Sequence, residues 1–181
     1  VIQFPVVYVG IVLTNSDAGI YSAAYKLIVL ILVVDRVFYT LFFPKIVNIV
    51  KNRSGSIDDI FNKIYKIISS IGLIVVFIFI ILAETAIEII FGGAFHEAAM
   101  IFMILLGAFY FTLLSSVFMY TLIAMDLEKY YVLSLLAGAV VFFISIVLLT
   151  SCFAVAGTAI SYVLFEMVSF FVMYMFAKRR I

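Results

Sequence analysis

The chain has 181 residues, of which 68% are hydrophobic and 12% charged, and its mean hydropathy is +1.38. Soluble domains carry roughly 45–50% apolar and about 25% charged residues, so a water-soluble globule is excluded. The net charge of +1, with basic residues sorted by loop and not gathered into a patch, gives no basis for nucleic-acid binding, and the single Cys152 and single His96 exclude an internal disulfide and a Cys- or His-based metal centre.

Six apolar segments follow in chain order, judged against the roughly 20 residues that a spanning helix needs. The first, near 1–13, is short and reads as the far end of a truncated span. The turn residues Thr14, Asn15, Ser16, Asp17, Ala18 and Gly19 close it. The second is predicted near 20–43, with Pro44 at its exit, and the others near 67–83, 98–124, 132–151 and 156–177. The expected fold is all-α, a polytopic transmembrane bundle of about five full spans plus the truncated one. No charged leader with a short apolar core and cleavage site opens the sequence at Val1. It therefore reads as an internal or truncated piece of a longer polytopic protein, or as a processed product.

Charge then orients the segments. Lys45, Lys51, Arg53, Lys63 and Lys66 share the 45–66 gap; Lys129 lies in the 125–131 gap; Lys178, Arg179 and Arg180 end the chain. The alternate gaps, 14–19, 84–97 and 152–155, carry only Asp17, Glu84, Glu88 and Glu97 as charges. By the positive-inside rule the basic gaps and the C-terminus are expected on the cytoplasmic side of a cell membrane. Within 45–66, Ser56 to Asp59 fits a capping box, and Ile57, Ile60, Phe61, Ile64 and Ile68 recur at helical spacing. This predicts either an amphipathic helix on the membrane surface or a plain extension of the third span. Ser134 with Gly138, and Gly157 with Ser161, are small-xxx-small pairs that predict close packing of the last two segments.

Four ionisable residues fall inside apolar segments: Lys26, Asp35, Arg36 and Glu166. Each costs about 2.5–3.5 kcal/mol at mid-bilayer and so needs a partner, water or a route to the interface. Glu166 lies about ten residues, roughly 15 Å, from either end of its segment, too far for its side chain to reach out. It must be protonated, paired or hydrated. At 100° per residue, Tyr21, Tyr25, Leu32, Arg36, Tyr39 and Phe43 form one stripe, and Tyr162, Glu166, Ser169 and Met173 another. One reading is a polar lumen in which Arg36 meets an anionic substrate group and the tyrosines contact sugars. The other is an Arg36–Glu166 or Asp35–Lys pair that pins the bundle, with Lys26 reaching the interface. Thr112, Ser115 and Ser116 are expected to bond their own helix carbonyls. His96 is expected to be exposed, and Tyr130 and Tyr131 to sit in an aromatic belt. The sequence contains no GxxxxGK[ST], HExxH or GxSxG motif and implies no metal or cofactor, so an enzyme is not expected.

The stretch Asp17-Ala18-Gly19-Ile20-Tyr21-Ser22-Ala23-Ala24-Tyr25-Lys26-Leu27 resembles a motif of the polysaccharide-transporter branch of the MOP (MATE-like) flippase superfamily. Phe42-Phe43-Pro44-Lys45 resembles that family's helix exit, and Ile90-Phe91-Gly92-Gly93-Ala94-Phe95 with Ala98 its outer loop. Leu122-Ile123-Ala124-Met125-Asp126 sits at the family's Gly-containing turn, with Met125-Asp126 in place of the Gly-containing pair. The resemblance implies a flippase for a lipid-linked oligosaccharide, similar to O-antigen and capsule-repeat exporters. Such proteins have two pseudo-symmetric bundles, of which this chain would be most of the second, its partners being the N-terminal bundle, membrane lipids and the lipid-linked glycan. Tyr21, Tyr25 and Lys26 fall inside a matched motif as substrate-contacting candidates. Arg36 and Tyr39, and the ion-coupling candidates Asp35 and Glu166, rest on the residue argument alone. The alternatives are a MATE-like cation or drug exporter using Asp35 or Glu166, and a non-transporting scaffold or remnant.

Overall fold

The computed structural model describes residues 4–52 and 57–179, with the side chains of 49–61 outside the description. Among the described residues six α-helices follow one another: α1 (Phe4–Val12), α2 (Asn15–Ile31), α3 (Val33–Asn52), α4 (Ile57–Phe91), α5 (Ala98–Ala124) and α6 (Glu128–Lys178). A short 3-10 turn, Gly93–Phe95, joins α4 to α5, and no strand occurs among the described residues. The all-α reading is correct. Four helical stretches, Asn15–Asn48, Asn62–Phe91, Ala98–Ala124 and Glu128–Lys178, are long and apolar enough to cross a bilayer.

The middle of the bundle is α5. Its apolar residues run all round the helix, the pattern of a helix enclosed on every side. Phe102, Leu105, Leu106, Phe109, Leu113, Val117 and Leu122 are all buried there. The outer helices instead turn Leu73, Ile74, Phe77, Ile81, Leu136, Val140, Ile144 and Leu148 outward. Hydrocarbon accepts such a surface and water does not, so this is a membrane protein.

Several expected boundaries move. Asp17, Ala18 and Gly19 belong to α2, because Thr14 caps that helix: its hydroxyl accepts from the Asp17 amide at 3.1 Å, and the Asp17 carboxylate accepts from the Thr14 amide at 3.1 Å. A helix ended by turn residues is thus restarted by them at once. The second segment is two helices, interrupted at Leu32, where the next backbone bond, Arg36 N–H to Leu32 carbonyl, is stretched to 3.4 Å. Pro44 lies inside α3, not at its exit. α4 is continuous from Ile57 to Phe91, running through residues 84–91 of the expected outer gap. The proposed cap at Ser56 lies outside the described residues.

The last helix is a hairpin. At Ala154 the backbone takes φ 47°, ψ −129°, and the arms 128–153 and 155–178 fold back on each other. Gly138 faces Phe165 and Ser169 so closely that a Cβ there would come within 2.8 Å of the Phe165 carbonyl and collide with Ser169 Oγ. Both expected small-residue contacts therefore lie in the seam, one by Gly138 and one by Gly157 near the turn. A left-handed φ costs an L-residue about 1–2 kcal/mol that glycine avoids. Ala154→Gly is expected to raise the unfolding free energy in detergent by about that amount, read as an upward shift of the thermal midpoint.

Asp126 carries the other left-handed φ, 58°. Its amide bonds the Ile123 carbonyl at 3.1 Å and the Leu127 amide the Leu122 carbonyl at 2.9 Å, a Schellman termination of α5. Asp126 thus fills the left-handed position that glycine most often takes at a helix end, since Asp tolerates this conformation better than most residues.

The connections sort to opposite ends of the bundle. Asp17, Glu84, His96, Glu97 and Phe153 to Ala156 line one cavity of about 360 Å³. The start of α2, the end of α4, the start of α5 and the hairpin turn therefore meet at one end. At the other, Tyr130 packs on Phe176 at 4.9 Å, joining the start of α6 to its finish.

Candidate functional site

Between α2–α3, α5 and both arms of α6 lies a cavity of about 400 Å³. Tyr25 and Leu32 border it from α2 and the break, and Asp35 from the first turn of α3. Thr112, Ser115, Ser116 and Met119 come from α5. Tyr131 and Leu135 come from the first arm of α6, and Tyr162, Phe165, Glu166, Ser169 and Met173 from the second. The stripe Tyr162, Glu166, Ser169, Met173 expected from helical spacing therefore faces the cavity in full. The α2–α3 stripe does not. The buried residues Ala24, Ile28, Ile31, Phe38 and Ile46 recur at helical spacing through Leu32 with Asp35 on their face, while Arg36 falls with the exposed Lys26, Val29, Val33 and Val37, so Asp35 and not Arg36 turns inward.

Asp35 and Glu166 thus share one chamber, and among the described residues no Lys or Arg lines it. Glu166 is only 9% exposed, with the hydroxyls of Thr112 and Tyr162 beside its carboxylate. Asp35 accepts a long hydrogen bond from the Tyr120 hydroxyl at 3.4 Å and has the Ser116 hydroxyl nearby. Neither expected ion pair, Arg36–Glu166 or Asp35–Lys, forms among the described residues, because Arg36 and Lys26 are exposed on the outer face of α2–α3.

The hydroxyls are arranged unusually. Thr112 Oγ1 donates to the Ala108 carbonyl at 2.9 Å and Ser116 Oγ to the Thr112 carbonyl at 3.0 Å, as expected for hydroxyls in an apolar helix. Their protons are used and their oxygen lone pairs remain. Ser115 Oγ and Ser169 Oγ are buried with no partner at all. Buried polar atoms are nearly always satisfied, so two orphans in one chamber ask for an explanation.

The remaining candidates scatter. Tyr21 is fully buried in the core, its hydroxyl without a partner, so it is packing and not a wall of the path assigned to it by the stripe. Tyr25 stacks on Tyr21 at 6.4 Å and meets Tyr162 edge-on at 6.4 Å, which places it at the chamber wall. Lys26 borders a separate apolar groove with Val6, Val7, Ser22, Val29, Leu30 and Phe91. Tyr39 is 46% exposed and stacks on Phe43 at 4.9 Å and against Tyr120 at 5.1 Å. Tyr131 lines the chamber, where an interfacial belt was expected. Tyr120 was missed by sequence reasoning, although it lies four residues beyond Ser116 on the helix whose Thr112, Ser115 and Ser116 face the chamber, a polar stripe that could have pointed to it.

Helices long and apolar enough to cross a membrane, with two carboxylates in a shared chamber, define a helical membrane protein with a polar interior site. The chain belongs to a family described as polysaccharide biosynthesis protein, which matches residues 2–100. That match covers the Asp17–Leu27, Phe42–Lys45 and Ile90–Ala98 motifs and agrees with the resemblance to polysaccharide transporters. No curated protein and no solved structure matches the chain.

Proposed function

We propose that the protein is a flippase that carries a lipid-linked oligosaccharide outward across the cytoplasmic membrane, by alternating access between this bundle and a second, N-terminal one. Membership in a polysaccharide biosynthesis family supports the substrate class. The observation that carries transport is the chamber: ionisable groups at membrane depth are costly and mark transport pathways when they face a cavity. In this scheme the exposed cations Arg36 and Lys26 attract the diphosphate of the carrier lipid, and Tyr25 and Tyr39 border the glycan's route. Asp35 and Glu166, two like charges in a low-dielectric chamber, are neutralised by a coupling cation on the return stroke. The basic end, with the C-terminus, faces the cytoplasm.

Arg36→Ala is expected to abolish surface polysaccharide while leaving the amount of protein in the membrane unchanged, as read by glycan staining and immunoblot. Normal export by this variant would remove the cationic recruiting role. The second reading, a cation exporter, is favoured by the acidic chamber without a lysine or arginine in its wall. Such a protein would lose activity with Asp35→Asn or Glu166→Gln and tolerate Arg36→Ala.

A further inference from the structure

We infer that the Asp35–Glu166 chamber is a binding site for an organic ammonium group of sugar size, most simply the protonated amine of an amino sugar within the transported glycan. The inference rests on the transport reading above and adds to it the identity of the group that the chamber grips on the outward stroke.

Four features converge. The volume of about 400 Å³ lies within the roughly 300–1,000 Å³ of small-molecule sites and far exceeds what a bare ion or proton requires. The charge is one-sided, with Asp35 and Glu166 from separate helices and no lysine or arginine in the wall. Aromatic rings of Tyr25, Tyr131, Tyr162 and Phe165 line it, and Tyr162 stacks on Phe165 at 5.9 Å. Aromatic faces attract ammonium groups and also pack against the apolar faces of sugar rings. The hydroxyls then complete the match. Ser115 and Ser169, at 9% and 1% exposure, have no partner, while Thr112 and Ser116 have spent their protons on helix carbonyls. An ammonium group brings three donors and no acceptor, which is what such oxygens lack.

The site also gives the transport cycle its exchange. The ammonium and the coupling cation are drawn to the same two carboxylates, so they compete for the chamber, and the arrival of one favours the release of the other. The titratable groups facing this point from the packed helices are Asp35, Glu166, Tyr25, Tyr131 and Tyr162, with Tyr120 behind Asp35. Acidification, which neutralises the carboxylates, therefore weakens ammonium binding.

The test is binding of soluble probes to the purified full chain in lipid nanodiscs, followed by calorimetry and thermal shift. Glucosamine, charged at neutral pH, is expected to bind and raise the midpoint, while N-acetylglucosamine, with the same ring and no charge, is expected to do neither. Glu166→Gln and Asp35→Asn should each abolish the glucosamine response without lowering the ligand-free midpoint, and Ser115→Ala should weaken it about tenfold or less. Equal binding of both sugars would overturn the inference, since charge would then play no part. So would a sodium response that glucosamine does not displace, which would make the chamber an ion site alone. Tetraethylammonium binding in place of glucosamine would overturn the sugar assignment and identify a drug-type cation site. Failure of the flippase reading looks different: lipid-linked oligosaccharides would stay in place in proteoliposomes while glucosamine still bound.

Discussion

Glu166→Gln is expected to stop export almost completely and to leave the protein at least as stable as before. The two effects have one cause. Holding a carboxylate at mid-depth costs about 2.5–3.5 kcal/mol, and glutamine keeps the shape and hydrogen-bonding capacity of the side chain without the charge. Thr112 and Tyr162 retain something to bond. A residue present only to pin the bundle would show the reverse, with a lower midpoint and activity falling only as far as the folded fraction falls. Loss of surface polysaccharide at an unchanged or higher midpoint, measured on the same preparation, therefore separates a working carboxylate from a structural one. Asp35→Asn should repeat the pattern in a weaker form, since Asp35 is less buried and has Tyr120 and Ser116 at hand. Unimpaired export by Glu166→Gln would refute the exchange scheme.

The sequence discloses the solvent and the all-α character, because both are set by quantities summed along the chain, hydropathy and segment length, whereas the helix limits at 17–19, 32, 44 and 84–91 fall elsewhere than it suggests. The facing of Glu166 was also legible, since helical periodicity over 162–173 has no interruption. Arg36 and Asp35 show where such reasoning stops. They are neighbours in sequence, yet one faces in and the other out: Asp35 continues the buried face of Ile28 and Ile31, and Arg36 the exposed face of Val29 and Val33, a choice between two apolar faces that composition does not make. The interruption at Leu32 is a separate matter and equally unannounced: there is no glycine or proline, and Leu32 keeps helical φ and ψ near −61° and −9°. Pro44 announces one and does not deliver it, since α3 continues to Asn52. Tyr131 was illegible for a different reason. Its role depends on which helix lies opposite, a tertiary fact that no local pattern carries.

The packing of the hairpin sets up the other large effect. Gly157→Ala is expected to destabilise the bundle by about 2–3 kcal/mol, although alanine is the better helix former. A Cβ at this position would coincide with the Leu149 carbonyl and lie 2.8 Å from the Thr150 amide nitrogen. Both obstacles are backbone, so neither can rotate away. The arms must separate, and the first thing lost is the buried hydroxyl bond between Thr150 and Thr158 at 2.9 Å, which closes the hairpin one residue beyond the glycine. The second arm carries Tyr162, Glu166 and Ser169, so its displacement also moves one wall of the chamber, and probe binding should weaken along with the midpoint. Gly107 supplies the control. A Cβ there would meet Val163 Cγ1 at an ordinary 3.6 Å. Gly107→Ala should accordingly gain about 0.5–1 kcal/mol from helix propensity. Thermal unfolding of the two variants side by side should move the midpoint in opposite directions. A fall for both would mean that any added methyl in this bundle is harmful, and a rise for both would mean that the arms are not pressed together at Gly157.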